Sequence, residues 1–263
     1  MRNPATGWFW LSTGELFLLW QAAGLGELPA VLGVPHIGHG EQARAALTAE
    51  ASATLGERGL GSVRRPDREL AGLLDLLGGR QRRRRTLSLL AHRLDGPFRA
   101  VGVVGDADDA VILSVADDQV RIGRVWPGSV ADILIATLEP LPAGEGRVTN
   151  VPWPVYEQAC AAGTAGGADA FLTTLRAAGV RAPEAHTVLR LVTGRSGGGE
   201  LALHGWDHRD TPLPTPPLRW VDTDGGRYVV RVRDGWLTVT PADQNRLRGM
   251  AESALTALAD RAC

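Results

Sequence analysis

Lysine is absent from these 263 residues: all 28 basic side chains are arginine, set against 29 Asp and Glu for a formal charge of −1. That absence excludes a lysine Schiff base and the phosphate-gripping lysine of a P-loop. The near-zero charge predicts no polyanionic partner. Cysteine is almost as scarce. Cys160 and Cys263 stand far apart, in neither a disulfide framework nor a zinc spacing, so a reducing, cytoplasmic compartment is expected. Aromatics make up only 5% of the chain. No apolar run reaches the ~18 residues of a membrane span. GxGxxG and phosphate-loop patterns are missing too, which leaves nucleotides without a cradle and predicts no cofactor.

What is present is enough chain, 44% hydrophobic, to bury a core without staples. The opening MRNPATGWFWLSTGELFLLWQAAG has a basic residue followed by apolar ones, as a secretory signal does. Glu15 interrupts that stretch. Ser12-Thr13-Gly14-Glu15 reads as a capping box, so a mature helix is predicted, with Leu16, Leu19, Trp20 and Ala23 at helical spacing and Gly24 as its stop.

The most informative feature is an element order that occurs twice. A short strand at 28–34 leads to helices at 41–58 and 67–77, then strands at 83–91, 98–104, 110–115 and 119–125, then a helix at 127–138. After the Pro/Gly-rich stretch at 140–146 a strand at 147–151 leads to helices at 168–178 and 183–192. Strands at 200–206, 218–221, 227–233 and 236–240 follow, then a helix at 241–259. Residue matches accompany that order: Val34-Pro35 with Val151-Pro152, Leu55 and Gly59 with Leu175 and Gly179, and Gly79-Arg80 with Gly194-Arg195. Val120 and Ile122 match Leu237 and Val239, and Pro127 matches Pro241. We read an internally duplicated α+β domain, with halves 1–142 and 143–263 whose meanders join edge to edge in one antiparallel sheet. The connection between Pro140 and Pro152 is expected to be exposed, without separating independently folding halves.

Chemical motifs are weak. Gly194-Arg195-Ser196-Gly197-Gly198 fits G-x-S-x-G, with His204, Asp207 and His208 downstream, so a serine hydrolase at Ser196 is one alternative. A nucleophile elbow needs a strand before the serine and a helix after it, and the expected order is the reverse. A flexible loop is the better reading. His36 and His39 lack a supporting ligand spacing, and Asp106, Asp108 and Asp109 lack the rest of a calcium loop, so no metal is expected. The Arg82–Arg85 run is the basis of a second alternative, nucleic-acid binding. Strand alternation would split that run between two faces, and no aromatic platform interleaves it.

Three segments carry a resemblance. WFWLSTGELFLLWQAAGLGELPAVLGVP at the start, LGERGL in the first half and WVDTDGGRYVVRVRDGWLTVTPAD near the end resemble the EspG family of type VII (ESX) secretion-associated chaperones, over about Trp10 to Leu258. The resemblance implies a quasi-two-fold fold, a central antiparallel sheet flanked by helical bundles. It also implies a non-enzymatic, cytosolic role in binding the PPE subunit of a PE-PPE substrate and shielding its hydrophobic tip until secretion. A loop that is often long in that family is replaced here by residues 92–97, so the grip is either smaller, through His92, Leu94 and Pro97, or lies elsewhere. Homodimer formation is left open by the sequence.

Trp206, Trp220, Tyr228 and Trp236 all fall in the second meander and are the candidate partner anchors, since such rings offer large area at small entropy cost. Trp236 is first, just beyond the Asp234-Gly235 turn. Trp206 and Leu213, on a loop stiffened by Pro212, Pro214, Pro216 and Pro217, come next.

Overall fold

In the computed structural model of the chain, residues 7–79, 84–93, 95–105, 109–207, 209 and 211–262 are described. Strand β1 (Phe9–Ser12) runs directly into α1 (Thr13–Ala22). The capping box is formed: the Ser12 hydroxyl accepts from the Glu15 N–H while the Glu15 carboxylate accepts from the Ser12 N–H. Gly24 follows the helix with φ of +63°, the left-handed conformation that ends it. The expected stripe is exceeded, because Phe17 and Leu18 are buried as well as Leu16, Leu19 and Trp20. The helix is buried on every side from Glu15 to Trp20, whereas Gln21 and Ala22 at its end, and Ala23 beyond it, are exposed.

Residues 28–34 do not form the expected strand. Ala30–Leu32 is a single 3-10 turn between Pro29 and Gly33, and Gly33 has φ of +61°. Two helices follow, α2 (Glu41–Glu57) and α3 (Arg68–Gly78), separated by a two-stranded ribbon of β2 (Gly61–Ser62) and β3 (Arg65–Pro66). Asp67 caps α3, accepting from the Glu69 and Leu70 N–H groups. The first meander is β4 (Arg85–Arg93), β5 (Gly96–Val104), β6 (Ala110–Ala116) and β7 (Gln119–Val125), and the expected helix after it is a 3-10 turn plus the seven-residue α4 (Val130–Ala136).

The second half begins with β8 (Thr149–Pro152) and α5 (Trp153–Ala177). The first fourteen residues of α5 are helical where sequence reading placed none; Gly167, at φ +73° and ψ −164°, breaks it from the expected second part. Next come α6 (Ala182–Thr193), β9 (Arg195–Trp206), the short β10 (Pro212–Leu213), β11 (Leu218–Thr223), β12 (Gly226–Arg233), β13 (Trp236–Pro241) and α7 (Gln244–Ala262).

All strands except β2 and β3 join one sheet in the order β1-β7-β6-β5-β4-β9-β11-β12-β13-β8, with β10 beside β9. Every ladder in it is antiparallel. The two meanders meet along β4 and β9, where Thr86 opposes His204 and Leu89 opposes Leu201. Counted outward from that seam, each half presents four meander strands and then one edge strand. The edge strand opposite β8 is therefore β1, so Val151-Pro152 corresponds in position to Leu11-Ser12 rather than to Val34-Pro35. The Leu55 and Leu175 carbonyls each accept from the N–H five residues on, Leu60 and Val180, around Gly59 and Gly179 at positive φ.

Strand alternation gives the sheet two different faces. On one, α4 and α7 cover the middle, and Leu87, Leu89, Leu201, Leu203, Leu218 and Trp220 are buried beneath them. On the other, α1 and α3 pack on β5 to β7 at one end, with α2 against α1, and α5 and α6 pack on β12, β13 and β8 at the opposite end, where α6 also reaches β11. No described helix covers the middle of that second face, and this asymmetry places the site.

Candidate functional site

The open middle is built from alternate residues of four strands. Thr86, Ser88 and Leu90 come from β4, Glu200, Ala202 and His204 from β9, Arg219 and Val221 from β11, and Val230 from β12. Leu87, Leu89, Leu201, Leu203, Trp220 and Val229, their neighbours on the opposite face, are buried, whereas these are half-buried or exposed. A continuous groove runs along them. At the N-terminal end its wall includes Trp20, Val31, Leu77 and Arg84, with Trp206 on the sheet side. At the C-terminal end it deepens into an apolar cleft of about 420 Å³ between Trp153, Tyr156, Leu191 and Val192 of the helices and Val221, Val230, Val232 and Leu237 of the sheet. Pro216 and Pro217 form part of its border.

Glycines hold the start of β9 close to its neighbours. A Cβ on Gly199 would overlap both the Leu90 carbonyl and the Trp220 ring, and one on Gly197 would come within 2.9 Å of the His92 carbonyl. Gly198 has φ of +142°, and the ladder with β11 is irregular just before this run, between Arg195 and Gly197. The Gly197–Gly199 run is thus strand held against neighbouring backbone, not the flexible loop expected from the sequence. Ser196 lies on this same strand as His204. Eight residues at ~3.3 Å each separate them by roughly 26 Å, so the hydrolase triad is not assembled. His208 lies outside the described residues.

Polar groups line the groove's rim. Arg219 Nε donates to Glu200 at 2.6 Å, whereas Arg195, exposed, has no carboxylate partner among the described residues. His92 is exposed beside it. Arg84 stands 5.1 Å from the Trp206 ring and donates to the Leu77 carbonyl, and burial lowers its pKa from the ordinary arginine value. It is packed against the fold rather than held out for a polyanion. Arg82 and Arg83 lie outside the described residues. Inside the cleft, burial first and then the Cys160 thiol push the Tyr156 hydroxyl up to about 12, so it enters any contact as a neutral phenol.

The expected anchors are divided by this geometry. Trp206 lines the groove and His92 its rim. Trp220 is 2% exposed and Tyr228 fully buried, with its hydroxyl donating to the Glu145 carbonyl; both are core residues, not anchors. Trp236 is 48% exposed, but alternation from buried Leu237 turns it to the other face of the sheet. Leu213 packs partly against the core under α7, again on the other face. Pro97 is exposed at the start of β5, opposite His92, and Leu94 lies outside the described residues. Sequence reading missed Trp153, Val192 and Val232. Val192 and Val232 are 45% and 52% exposed, and only their exposure in the folded chain distinguishes them from core valines.

Among the described residues no three His, Cys, Asp or Glu side chains gather as a metal site, and no helix is long and apolar enough to cross a membrane. A sequence model of the EspG family matches residues 12–253. No curated protein matches the chain in sequence. Among solved structures the chain is similar to the Mycobacterium tuberculosis type VII secretion system chaperone EspG5, solved in complex with a PE25-PPE41 dimer. The TM-score is 0.72 at 15% sequence identity, over 95% of this chain and 96% of that one. At that identity the likeness is one of fold, and it agrees with the large antiparallel sheet flanked by helices.

Proposed function

The chain belongs to the EspG family, and we propose that it is a cytoplasmic, non-catalytic chaperone that holds a PPE-type secretion substrate along the open sheet face. The structurally similar family chaperone was solved with a PE-PPE dimer, which supports a partner of that class here. One observation in this chain carries the reading: an apolar cleft with exposed valines on its border, Val192 and Val232, opens on the middle of the second sheet face, which no described helix covers.

The physics suits a holder that must later let go. Burying an apolar tip needs an apolar patch on the holder, and a standard interface of about 1,600 Å² is carried by a few such anchors inside a polar rim. Trp153, Val192, Val221 and Val232 supply the patch, while His92, Arg195 and the Arg219–Glu200 pair supply the rim. The sheet beneath is rigid, so little conformational freedom is lost on binding.

Substitution of Val192 and of Val232 by Asp tests this directly. Each residue is half-exposed, so the free protein should melt within a few degrees of wild type. Each change places a charge against the buried tip, and capture of a PE-PPE pair should weaken by about 2 kcal/mol or more. Undiminished capture by both variants would remove this cleft from the interface.

A further inference from the structure

The opposite sheet face has a cleft of its own, which stands independently of the groove. Because α4 is only seven residues long, it and α7 cover the middle of that face and leave its β1 end bare. There Trp8, Trp10, Phe98, Arg121 and Ile133 border a cleft of about 330 Å³. Gly123 shapes one wall, since a Cβ there would come within 2.5 Å of the Trp8 ring; without it the indole lies against β7. At the end of the same strand stands Trp126, 72% exposed.

Two guanidinium groups flank this aromatic lining. Arg121 lies 4.0 Å from the Trp10 ring centroid, and Arg93 lies 4.3 Å from that of Phe98. Arg93 also donates to the Thr137 carbonyl, yet its Nε is buried with no partner. Neither arginine has a carboxylate partner among the described residues. A cation stacked on a ring keeps donors free for an acceptor, and Arg121, which lines the cleft and is exposed, can offer them to a carboxylate held there.

We propose that this cleft is a second docking site, which takes an aromatic side chain of a partner protein together with a carboxylate of the same segment. Its volume is near the lower limit of small-molecule cavities and suits one anchoring side chain. Tryptophan and arginine are the residue types that dominate interface hot spots, and here they are gathered in a chain with few aromatics. Because the open groove lies on the other face, both sites can be filled at once, and this one does not depend on what the groove holds.

N-acetylphenylalanine, which combines a benzyl group with a carboxylate, is the probe. It is titrated into the full-length, ¹⁵N-labelled chain while the tryptophan indole N–H resonances are followed. N-acetylphenylalaninamide removes only the charge. We expect saturable shifts confined to Trp8 and Trp10, about tenfold weaker binding of the amide, and loss of that preference in Arg121→Gln. Ile133→Trp, which fills the cleft, should abolish the response to both. A capped hexapeptide with Phe beside Asp should bind at least as well as the amino-acid probe. Equal binding of acid and amide, shifts that survive Ile133→Trp, or binding of the free acid but not the hexapeptide would each overturn the proposal.

Discussion

Glu15 is a buried carboxylate with both oxygens engaged: Oε2 accepts from the Ser12 N–H, and Oε1 accepts from Thr54 and Arg58. Burial alone would raise its pKa, but the Arg58, Ser12 and Thr54 hydrogen bonds and the Arg58 charge outweigh it, leaving the value below the ordinary 4.5. A carboxyl whose folded pKa is depressed stabilises the fold fully above its unfolded pKa, and that contribution is lost as the pH falls through the folded value. Glu15→Gln should therefore cost about 2 kcal/mol at neutral pH, and the gap to wild type should narrow as the pH is taken below 4.5. Urea unfolding of both proteins across that range measures it. A gap that stays constant with pH would show that the charge contributes nothing. Two tryptophans make the contrast between core and surface. Trp220→Ala should cost about 3 to 5 kcal/mol, because the ring fills the space over Gly199, while Trp236→Ala should leave thermal unfolding nearly unchanged. Comparable losses in both variants would contradict the placement of Trp236.

At the scale of elements, α5 depends on its break. Gly167 combines φ of +73° with ψ of −164°, a conformation closed to side-chain-bearing residues, and a Cβ there would meet nothing within 4 Å. Gly167→Ala should thus destabilise by about 1 to 3 kcal/mol through backbone strain alone, read as a lower urea midpoint with an unchanged slope. Full wild-type stability would mean that the break is not required. The same element shows where the sequence stopped being legible. The capping box at Ser12, the Asp67 cap and the alternating meanders are local signals, and the elements they mark formed close to where they were expected. The first part of α5 was hidden because Gly163, Gly166 and Gly167 lower helix propensity there, and the start of β9 because its glycines read as a loop. Glycine in those places answers to tertiary neighbours, the Phe171 ring for Gly163 and the Leu90 carbonyl for Gly199, which no local pattern contains. The groove was legible only in part. Trp206 could be named from its residue type, but which face a strand residue takes depends on register, and register puts Trp236 and Leu213 on the face opposite the groove.

For the whole molecule, the seam between β4 and β9 is the decisive joint. Thr86 to His92 of β4 find their ladder partners in β9, and the core under α4 and α7 draws its side chains from both halves. The connection between them is mostly exposed but pinned. Arg227 is fully buried, binding Asp222 and the Glu139 carbonyl, and Gly144 packs against the Tyr228 ring. Residues 1–142 alone would expose a long strand edge and half a core, so the fragment should aggregate or unfold without a cooperative transition. A soluble fragment with a sharp melt would contradict a shared core. The central claim is that the open face holds a PPE-type protein, and site-specific photo-crosslinking in the native cell tests it most directly. With a benzophenone side chain replacing Val192, in the groove, the account predicts crosslinks to the tip of a PPE-type protein; with the same side chain at Thr238, on the opposite face, it predicts none to that protein. Equal crosslinking from both positions, or a partner of another class captured at Val192, would contradict it.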